Sequence, residues 1–494
     1  MDKPLPTRIE NYDDAISWLY DRIDYERVRP SGPINPFRLE RVERLLQRIG
    51  SPHERIPAVH IAGTKGKGST AAMIDSILQS SGIRSGLFTS PHIEQFEERM
   101  RVAGHMPHAD QLTRLVARLC KVLQEAEMDV SDRIPTFFEV TTLLGWMLFD
   151  EQNVQIAVLE TGLGGRLDCT NVCQPLVTVI SSIGLDHTQI LGDTISKIAA
   201  EKAGILKAGV PVVQGQLAGD ADQVVAARAR ELGCERYVCG REFAWHVEHS
   251  AADPARLHSD RDPGLSDGCS HDSKTNGRRT QQISVVTPEQ SYDEMTLPLL
   301  GVHQAHNASL AVMVCELLRG RGYPEITPAA IAAGIKATHW PLRFEVIDGS
   351  PTIILDAAHN PDSMLAVAGV LRGAEWQGRC RVLVLAISSD KDARGMLQII
   401  LPHFDHVIFT RFLGNPRSID PDQLHDIALS LRTADTQNQP DEPLHQAQLH
   451  VAADPTTAIA DARHLAGLDG LVCITGSIFL AAEARSLLLK KQTR

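Results

Sequence analysis

The sequence has no apolar run long enough to cross a bilayer and no C-x-x-C pair, and its acidic side chains outnumber its basic ones. The first absence, together with an N-terminus without an apolar signal core, predicts a cytoplasmic protein that does not enter a membrane. The nine cysteines are scattered, which argues against a zinc or disulfide framework. The formal net charge of −12 argues against a general nucleic-acid binder, which needs a basic face.

Length and composition are those of a globular protein with two or three domains. The chain has 494 residues, of which 43% are hydrophobic and 22% are charged. Strand-like runs alternate with helical patterns, and several runs are apolar throughout, as in parallel strands covered on both faces. This pattern predicts an α/β fold. The strand candidates are 57–62, 154–160, 176–182, 210–214, 352–356, 381–387, 406–411 and 470–475.

A domain boundary is expected near Trp340, which follows a helix-like segment at 328–337 and precedes a new strand. We therefore predict a larger domain at 1–340 and a smaller one at 341–494, which has a normal domain size.

Two polar stretches interrupt the α/β pattern. Residues 248–282 have few large apolar side chains and predict a disordered insertion, and residues 433–447 predict a second polar loop. Because such an insertion buries little apolar surface, deletion from about Asp253 to Arg279 should cost little stability.

A glycine-rich turn follows the first strand candidate. Residues 59–70 read Val-His-Ile-Ala-Gly-Thr-Lys-Gly-Lys-Gly-Ser-Thr, and helical spacing follows them. Such a turn presents backbone N–H groups at a helix N-terminus, where a polyphosphate binds. Lys67 would add a positive charge at the phosphates, and Ser69 or Thr70 could hold Mg²⁺. Only two residues separate Gly63 from Gly66, so an ordinary glycine-rich βα turn would look similar.

Polar side chains also stand at the ends of later strand candidates. Glu160 ends one strand, Asp186 and His187 follow the next, and Lys202 lies on a helix after it. The carboxyl ends of parallel strands form one edge of a sheet, where ligands bind. Taken singly, these residues have ordinary explanations: a helix cap, a structural histidine and a solvated lysine. Together they indicate a nucleotide–magnesium site.

A series of motifs occurs in order along the chain. The motifs are Gly63-Thr-Lys-Gly-Lys-Gly-Ser69, Thr89-Ser-Pro-His92, Glu160-Thr-Gly-Leu-Gly-Gly-Arg-Leu-Asp168, Gly184-Leu-Asp-His187, Glu201-Lys-Ala-Gly-Ile205, His303-Gln-Ala-His-Asn307, Trp340-Pro-Leu-Arg343, Asp356-Ala-Ala-His-Asn-Pro361 and Thr475-Gly-Ser477. This series resembles the folylpolyglutamate synthase/dihydrofolate synthase family, a branch of the Mur ligase superfamily. The resemblance extends from about residue 10 to 486.

The resemblance implies a P-loop Mur-ligase-type ATP-binding domain followed by a smaller Rossmann-like α/β domain. It implies an enzyme of folate biosynthesis in which ATP converts a substrate carboxylate to an acyl phosphate that the amine of L-glutamate then attacks. The acceptor would be dihydropteroate, a reduced folate or both. The resemblance further implies a monomer that binds small molecules, ATP and two Mg²⁺ ions.

The resemblance also assigns roles to individual residues. Lys67, His187, Lys202 and Arg343 would be catalytic, and Lys202 would carry a carbamate whose carboxylate helps to place a second Mg²⁺. The binding residues would be Gly66, Lys67, Gly68, Ser69, Asn307, Arg343 and Asp356 for ATP; Ser90, Glu160, His187 and Lys202 for metal; Thr136, Phe137, Phe138, Glu139, Leu167, Asp168 and Cys169 for the pterin; and His359 and Asn360 for incoming glutamate.

The sequence departs from the family pattern at several positions. Lys65 replaces the usual Asn in the phosphate loop, Leu342 stands where Gly usually precedes the arginine, and Ala357 stands where Gly is common. The departures leave the ligase class in place.

Two other readings stay open at this point. One is a related ligase that acts on a UDP-linked cell-wall peptide, and the other is a non-catalytic nucleotide-binding protein with the same fold. The Thr-Ser-Pro-His and Leu-Gly-Gly-Arg-Leu-Asp segments favour folate over the first. Retention of Lys67, Glu160, His187, Lys202 and Arg343 argues against the second. ADP release that depends on both a folate and glutamate would separate the three readings.

Overall fold

The computed structural model describes residues 9–22, 39–127, 135–248, 273–275, 278–438 and 447–489. The chain forms two compact units. The first comprises the described parts of 1–246, 284–295 and 306–338, and the second those of 247–283, 296–305 and 339–494. Within the described ranges, no helix has the length and apolar character needed to span a membrane.

The first unit contains a seven-stranded sheet with the order β3-β2-β4-β1-β5-β6-β7. Its strands are parallel except β3, which pairs antiparallel with β2. The central strands are buried along their whole length, as their apolar sequences predict. The strands are β1 (Ala58–Ala62), β2 (Ser85–Phe88), β3 (Met100–Val102), β4 (Ile156–Glu160), β5 (Pro175–Ile180), β6 (Val212–Gln214) and β7 (Arg236–Val238).

Helices cover this sheet and bury their apolar faces in its core. They are α1 (Tyr12–Tyr20), α2 (Leu39–Arg48), α3 (Pro52–Arg55), α4 (Lys67–Ser80), α5 (Ala109–Glu127), α6 (Phe137–Glu151), α7 (Thr188–Leu191), α8 (Ile195–Ala203) and α9 (Gly219–Glu231). Two further helices follow later in the chain, α10 (Val302–Arg319) and α11 (Pro328–Ala337). Helix α11 packs closely on α4, because Gly334 has no Cβ to overlap the backbone of Ile77, and the Ser76 hydroxyl donates to the Gly334 carbonyl at 2.7 Å.

A smaller sheet has the order β11-β10-β8, and β9 pairs antiparallel with β10. Its strands are β8 (Ala244–Val247), β9 (Ser273–Thr275), β10 (Arg278–Val286) and β11 (Ser291–Leu297).

The predicted disordered insertion is therefore wrong at its C-terminal end. Residues 273–275 form β9 and residues 278–282 form part of β10. The buried Gln281 side chain donates to the carbonyls of Leu299 and Gly301 at 2.7 and 3.0 Å. The Arg279 guanidinium lies 4.4 Å from the centre of the Trp376 ring. A deletion that includes Arg279 would remove this contact. The prediction that deletion up to Arg279 costs little stability is therefore wrong at this end of the segment. The rest of the predicted insertion, 249–272 and 276–277, lies outside the described residues.

The second unit contains a six-stranded sheet with the order β12-β13-β17-β14-β15-β16. Only β12 is antiparallel to its neighbour. The strands are β12 (Glu345–Ile347), β13 (Thr352–Leu355), β14 (Arg381–Leu385), β15 (His406–Phe409), β16 (Gln448–Val451) and β17 (Leu471–Thr475), and the helices are α12 (Pro361–Leu371), α13 (Ala393–Ile400), α14 (Pro421–Asn438), α15 (Pro455–Ala466) and α16 (Ile478–Leu489).

All eight predicted strands are present, each within two residues at both ends, and the α/β class is confirmed. The second predicted polar loop is wrong over 433–438, where α14 continues to Asn438, and residues 439–446 lie outside the described part of the chain. In both large sheets the parallel strands end at a common edge, and many of the predicted site residues follow those ends, whereas Thr136–Glu139, Lys202 and Asn307 lie on helices or at their starts.

Candidate functional site

The predicted phosphate loop joins β1 to α4. Gly66 has a φ of 81°, a left-handed conformation that favours glycine, and a Cβ at this position would overlap the side-chain amide of the buried Asn307. Helix α4 then begins at Lys67, and its first turn has neither a side-chain cap nor an acidic residue. The N–H groups of that turn, including those of Gly68 and Ser69, are therefore suited to bind phosphate oxygens.

Two serines after β5 hold the loop in place. Ser181 Oγ donates to the carbonyl of Lys65 at 2.6 Å. Ser182 Oγ accepts from the Lys65 N–H at 2.8 Å and lies 3.0 Å from the Lys65 carbonyl, and the Thr64 N–H donates to the Ser182 carbonyl at 2.8 Å. These hydrogen bonds tie the loop to the end of β5. The sequence reasoning missed both serines, although they end a predicted strand.

Lys67, Glu160 and Ser90 come together at this loop. Glu160 is the last residue of β4 and is 5% exposed. Its Oε1 lies 3.8 Å from the Lys67 ammonium, and its Oε2 accepts from the Ser90 N–H at 3.3 Å. The geometry thus places one buried carboxylate beside one ammonium at the N-terminus of α4.

Lys202 lies beside the start of the loop and is 4% exposed, so it is not a solvated surface lysine. Its Nζ donates to the Gly63 carbonyl at 2.9 Å. Burial, with repulsion from Lys67, lowers the pKa of Lys202 to about 7. A neutral amine therefore makes up a large part of its population near neutral pH.

His187 is more exposed than Lys67, Glu160 and Lys202. It has a φ of 48° at the start of the short helix α7, and its side chain is 49% exposed, with Nε2 3.8 Å from Asp186 Oδ1. Across the described residues, no set of three or more His, Cys, Asp and Glu side chains is arranged to hold a metal ion. A magnesium ion at Glu160 would therefore need other oxygen atoms, for which phosphates and a modified Lys202 are suitable sources.

The segment predicted to line the pterin site starts α6. Thr136 and Glu139 form a capping box, in which the Thr136 N–H donates to Glu139 Oε2 at 2.7 Å and the Glu139 N–H donates to Thr136 Oγ1 at 3.3 Å. Phe137 is 1% exposed, its ring stacks on Tyr20 with centroids 5.8 Å apart, and the Arg99 guanidinium covers it. The Phe137 ring therefore belongs to the core.

Phe138 is the partly exposed aromatic residue of this pair. Its ring packs edge-on to Phe88, and the absence of a side chain at Gly162 leaves room for it, because a Cβ there would come too close. Of the two phenylalanines, only Phe138 retains surface for a flat ligand.

The second predicted pterin segment follows β4 and its glycine turn. Asp168 is buried and accepts from the N–H of Leu163 at 2.9 Å and from both N–H and hydroxyl of Thr170 at 2.9 and 2.5 Å. Burial raises the pKa of Asp168, and these hydrogen bonds oppose the rise. Leu167 is partly exposed, whereas Cys169 is buried and burial raises the pKa of its thiol. Asp168 thus shapes the turn.

A histidine that sequence reasoning missed supports this turn. His60 on β1 is fully buried, and its Nε2 lies 2.8 Å from the Thr170 hydroxyl. Since that hydroxyl donates to Asp168, His60 donates to it, and burial lowers the pKa of His60 to about 3. The ring is therefore neutral and carries its proton on Nε2.

The remaining predicted residues belong to the second unit. Asp356 follows β13, is buried, and lies near Arg343, which opposes the rise that burial causes in its pKa. His359 Nδ1 donates to the Ala357 carbonyl at 2.9 Å. Asn360 caps α12 by accepting from the Ser363 N–H at 3.0 Å, so its side-chain oxygen has a structural task.

Two family models match the chain. The Mur ligase middle domain matches residues 61–315, and the Mur ligase glutamate ligase domain matches residues 342–478. The chain is 33% identical over 478 residues to the dihydrofolate synthase/folylpolyglutamate synthase of Bacillus subtilis, covering 97% of this chain and 99% of that protein. It is 34% identical over 477 residues to a probable bifunctional folylpolyglutamate synthase/dihydropteroate synthase of Haloferax volcanii, covering 96% of this chain but only 50% of that protein.

Solved structures resemble the whole chain as well. A Mycobacterium tuberculosis folylpolyglutamate synthase complexed with ADP has a TM-score of 0.78 at 30% identity, covering 96% of this chain and 98% of that one. A complex of such a synthase with AMPPCP and folate has a TM-score of 0.73 at 28% identity, covering 97% of this chain and 100% of that one.

Proposed function

This chain belongs to the folylpolyglutamate synthase/dihydrofolate synthase family of Mur ligases. On that basis we propose which of its residues bind each substrate and which act in the ligase reaction. The protein is an ATP-dependent ligase that joins glutamate to folates. The observation that carries the proposal is the loop itself: an uncapped helix N-terminus, one ammonium, one buried carboxylate and one buried lysine within a few ångströms.

The chemistry proceeds in two transfers. A carboxylate oxygen of the acceptor attacks the γ-phosphorus of ATP, and ADP leaves. The glutamate amine then attacks the acyl carbon, loses a proton, and phosphate leaves with the C–O bond electrons. The N–H groups of the first turn of α4 and the Lys67 ammonium neutralise the phosphate charge. The family resemblance assigns further nucleotide contacts to Asn307 and to Arg343.

Magnesium is the ion that such an ATP reaction uses, and Glu160 with Ser90 fits its preference for oxygen ligands. Lys202 fits a carbamate for two reasons. Its lowered pKa supplies the neutral amine that reacts with CO₂, and the carbamate retains an N–H that can still donate to the Gly63 carbonyl. The added carboxylate would supply acidic oxygen atoms to the donor set in addition to those of Glu160. His187, half exposed beside Asp186, is the proposed nitrogen ligand.

The acceptor pterin is assigned to the first unit. Phe138 offers its exposed ring face, and the turn ordered by Asp168 forms the other boundary, with Leu167 partly exposed beside it. Apart from the nucleotide contact assigned to Arg343, we assign ATP and pterin binding to residues 1–340 and incoming glutamate to 341–494, where His359 and Asn360 stand at the start of α12.

The decisive experiment measures ADP release and labelled-glutamate incorporation by the purified protein with ATP and Mg²⁺. Dihydropteroate and a reduced folylglutamate are supplied in separate reactions, each with and without glutamate. We expect glutamate-dependent turnover with both acceptors, and Lys67→Ala serves as the inactive control. Turnover with only one acceptor would restrict the enzyme to that half-function, and none with either would refute the assignment.

A further inference from the structure

The backbone on both sides of Arg343 is held by carboxylates of the second unit. The N–H of Leu342, before Arg343, donates to Glu345 Oε2 at 3.1 Å. The N–H of Phe344, after it, donates to Asp356 Oδ2 at 2.8 Å. The Leu342 carbonyl in turn accepts from the Ala357 N–H at 3.0 Å. The tripeptide is thus fastened to the protein by both neighbouring N–H groups, each bound by a different acid.

These hydrogen bonds hold an unfavourable conformation. Leu342 has a φ of 58° and Phe344 a φ of 49°, and neither is glycine. Large side chains adopt this left-handed region rarely, and only where the surroundings over-determine it. Both side chains are buried, whereas Arg343 between them is partly exposed. The strained backbone therefore buries two apolar side chains and leaves the guanidinium between them in reach of solvent.

Glu345 is itself fixed by a residue far along the chain. The Arg485 Nε on α16 lies 3.2 and 3.1 Å from the two carboxylate oxygens of Glu345, and both side chains are less than one-fifth exposed. Asp356 is fixed differently, since its Oδ1 accepts from the Ala358 N–H at 2.7 Å. Both acids thus lie at the edge of the six-stranded sheet, since Glu345 begins β12 and pairs with Leu355, and Asp356 follows β13. The Glu345 carboxylate and its ion pair with Arg485 can nevertheless be removed by a side-chain substitution that leaves this backbone pairing in place.

We propose that Glu345, held by Arg485, is a positioning residue that fixes the direction of Arg343 by anchoring the strained Leu342–Phe344 turn. The inference rests on the proposed function of Arg343 as a nucleotide contact. Neither Glu345 nor Arg485 needs to touch ATP. Releasing the Leu342 N–H lets the turn relax to an ordinary extended conformation, and the guanidinium then loses its direction. Small misplacements of this kind lower turnover by about 100-fold in other enzymes.

A double-mutant cycle tests the proposal. kcat and the KM for ATP are measured for Glu345→Ala, Arg343→Ala and the double variant, with folding checked by circular dichroism and thermal unfolding. We expect Glu345→Ala to lower kcat/KM for ATP by about 10- to 100-fold and to have no further effect when Arg343 is already alanine. Arg411→Ala removes an exposed ion pair with Asp420 in the same unit and should leave the kinetics unchanged.

A second variant guards against misfolding. Glu345→Gln keeps an oxygen that can accept from the Leu342 N–H but removes the charge that holds Arg485, so it should fold and lose less activity than Glu345→Ala. Equal losses for Glu345→Ala with and without Arg343 would overturn the positioning role. Normal kinetics for Glu345→Ala or a Glu345→Gln loss as large as that of the alanine variant would overturn it too. Normal kinetics for Arg343→Ala would instead refute the proposed function of Arg343.

Discussion

Gly63→Ala should disable the phosphate loop through a clash that a second substitution can relieve. A Cβ on Gly63 would overlap Ser181 Oγ, and would also lie 3.2 Å from Ser181 Cβ and 3.2 Å from the Ser182 nitrogen. The hydroxyl can escape only by rotating away from the Lys65 carbonyl, to which it donates. The substitution therefore breaks the serine brace of the loop even though alanine is small.

The expected magnitude follows from these contacts. The lost hydrogen bond is worth about 1 kcal/mol, and overpacking at a tight position adds about 1–2 kcal/mol. A total of about 2–3 kcal/mol, if expressed entirely in the loop, weakens nucleotide binding by about 30- to 150-fold. Replacing Ser181 by alanine removes the overlapping oxygen, so Gly63→Ala with Ser181→Ala should bind better than Gly63→Ala alone.

Calorimetric titration with AMPPCP and Mg²⁺ measures the effect, and thermal unfolding reports whether the fold is intact. Gly369→Ala is the matched control, because no atom lies within 4 Å of a Cβ at that helical position. Its affinity should equal that of the unmodified protein. Wild-type affinity for Gly63→Ala, or no recovery in the double variant, would refute the proposed brace.

Three further substitutions separate chemistry from packing. Lys67→Ala should abolish turnover while circular dichroism shows an intact fold, because the ammonium acts on phosphate charge; near-normal turnover would remove Lys67 from the site. Since burial lowers the pKa of Lys202 to about 7, only the deprotonated amine above that pH takes up CO₂, and bicarbonate activation of CO₂-depleted enzyme should rise through pH 7 and vanish in Lys202→Ala. The same shift makes the Lys202 contribution to the free energy of unfolding rise with pH between about 7 and 10.5, since the unfolded chain binds the extra proton there. Phe138→Leu should raise the KM for the pterin acceptor about tenfold, whereas Phe137→Leu should lower the free energy of unfolding by about 1–2 kcal/mol and spare that KM; the reverse pattern would contradict the assignment.

The strands were predictable because their apolar runs are long and the chain buries them on both faces. Gln281 was not, since a polar residue becomes a buried strand residue only when carbonyls such as those of Leu299 and Gly301 come within reach. That proximity is created by the tertiary fold. The polar composition of 248–282 therefore predicted disorder for residues near Gln281 that tertiary hydrogen bonds hold in a strand.

In the candidate site, too, the sequence did not reveal which side chains are buried, because burial depends on residues distant in the chain. Motif order located Lys67, Glu160 and Lys202, but it could not distinguish Phe137 from Phe138, because the difference depends on Tyr20 of a helix more than a hundred residues earlier. Nor does a lysine in a helical pattern reveal whether it is solvated. Lys202 is buried because its ammonium reaches the carbonyl of Gly63, which lies 139 residues before it.

The contact between α11 and α4 makes the proposed nucleotide site depend on a residue encoded far along the gene. Gly334 lies 267 positions after Lys67, yet any larger residue there would push on the backbone of Ile77, in the same helix whose first turn we propose to bind phosphate. A genetic selection for lost ATP use should therefore recover changes at codon 334 together with changes in the loop. Such alleles would look unrelated to the active site on a linear map, and substrate-analogue resistance could arise there without altering any residue that touches a ligand.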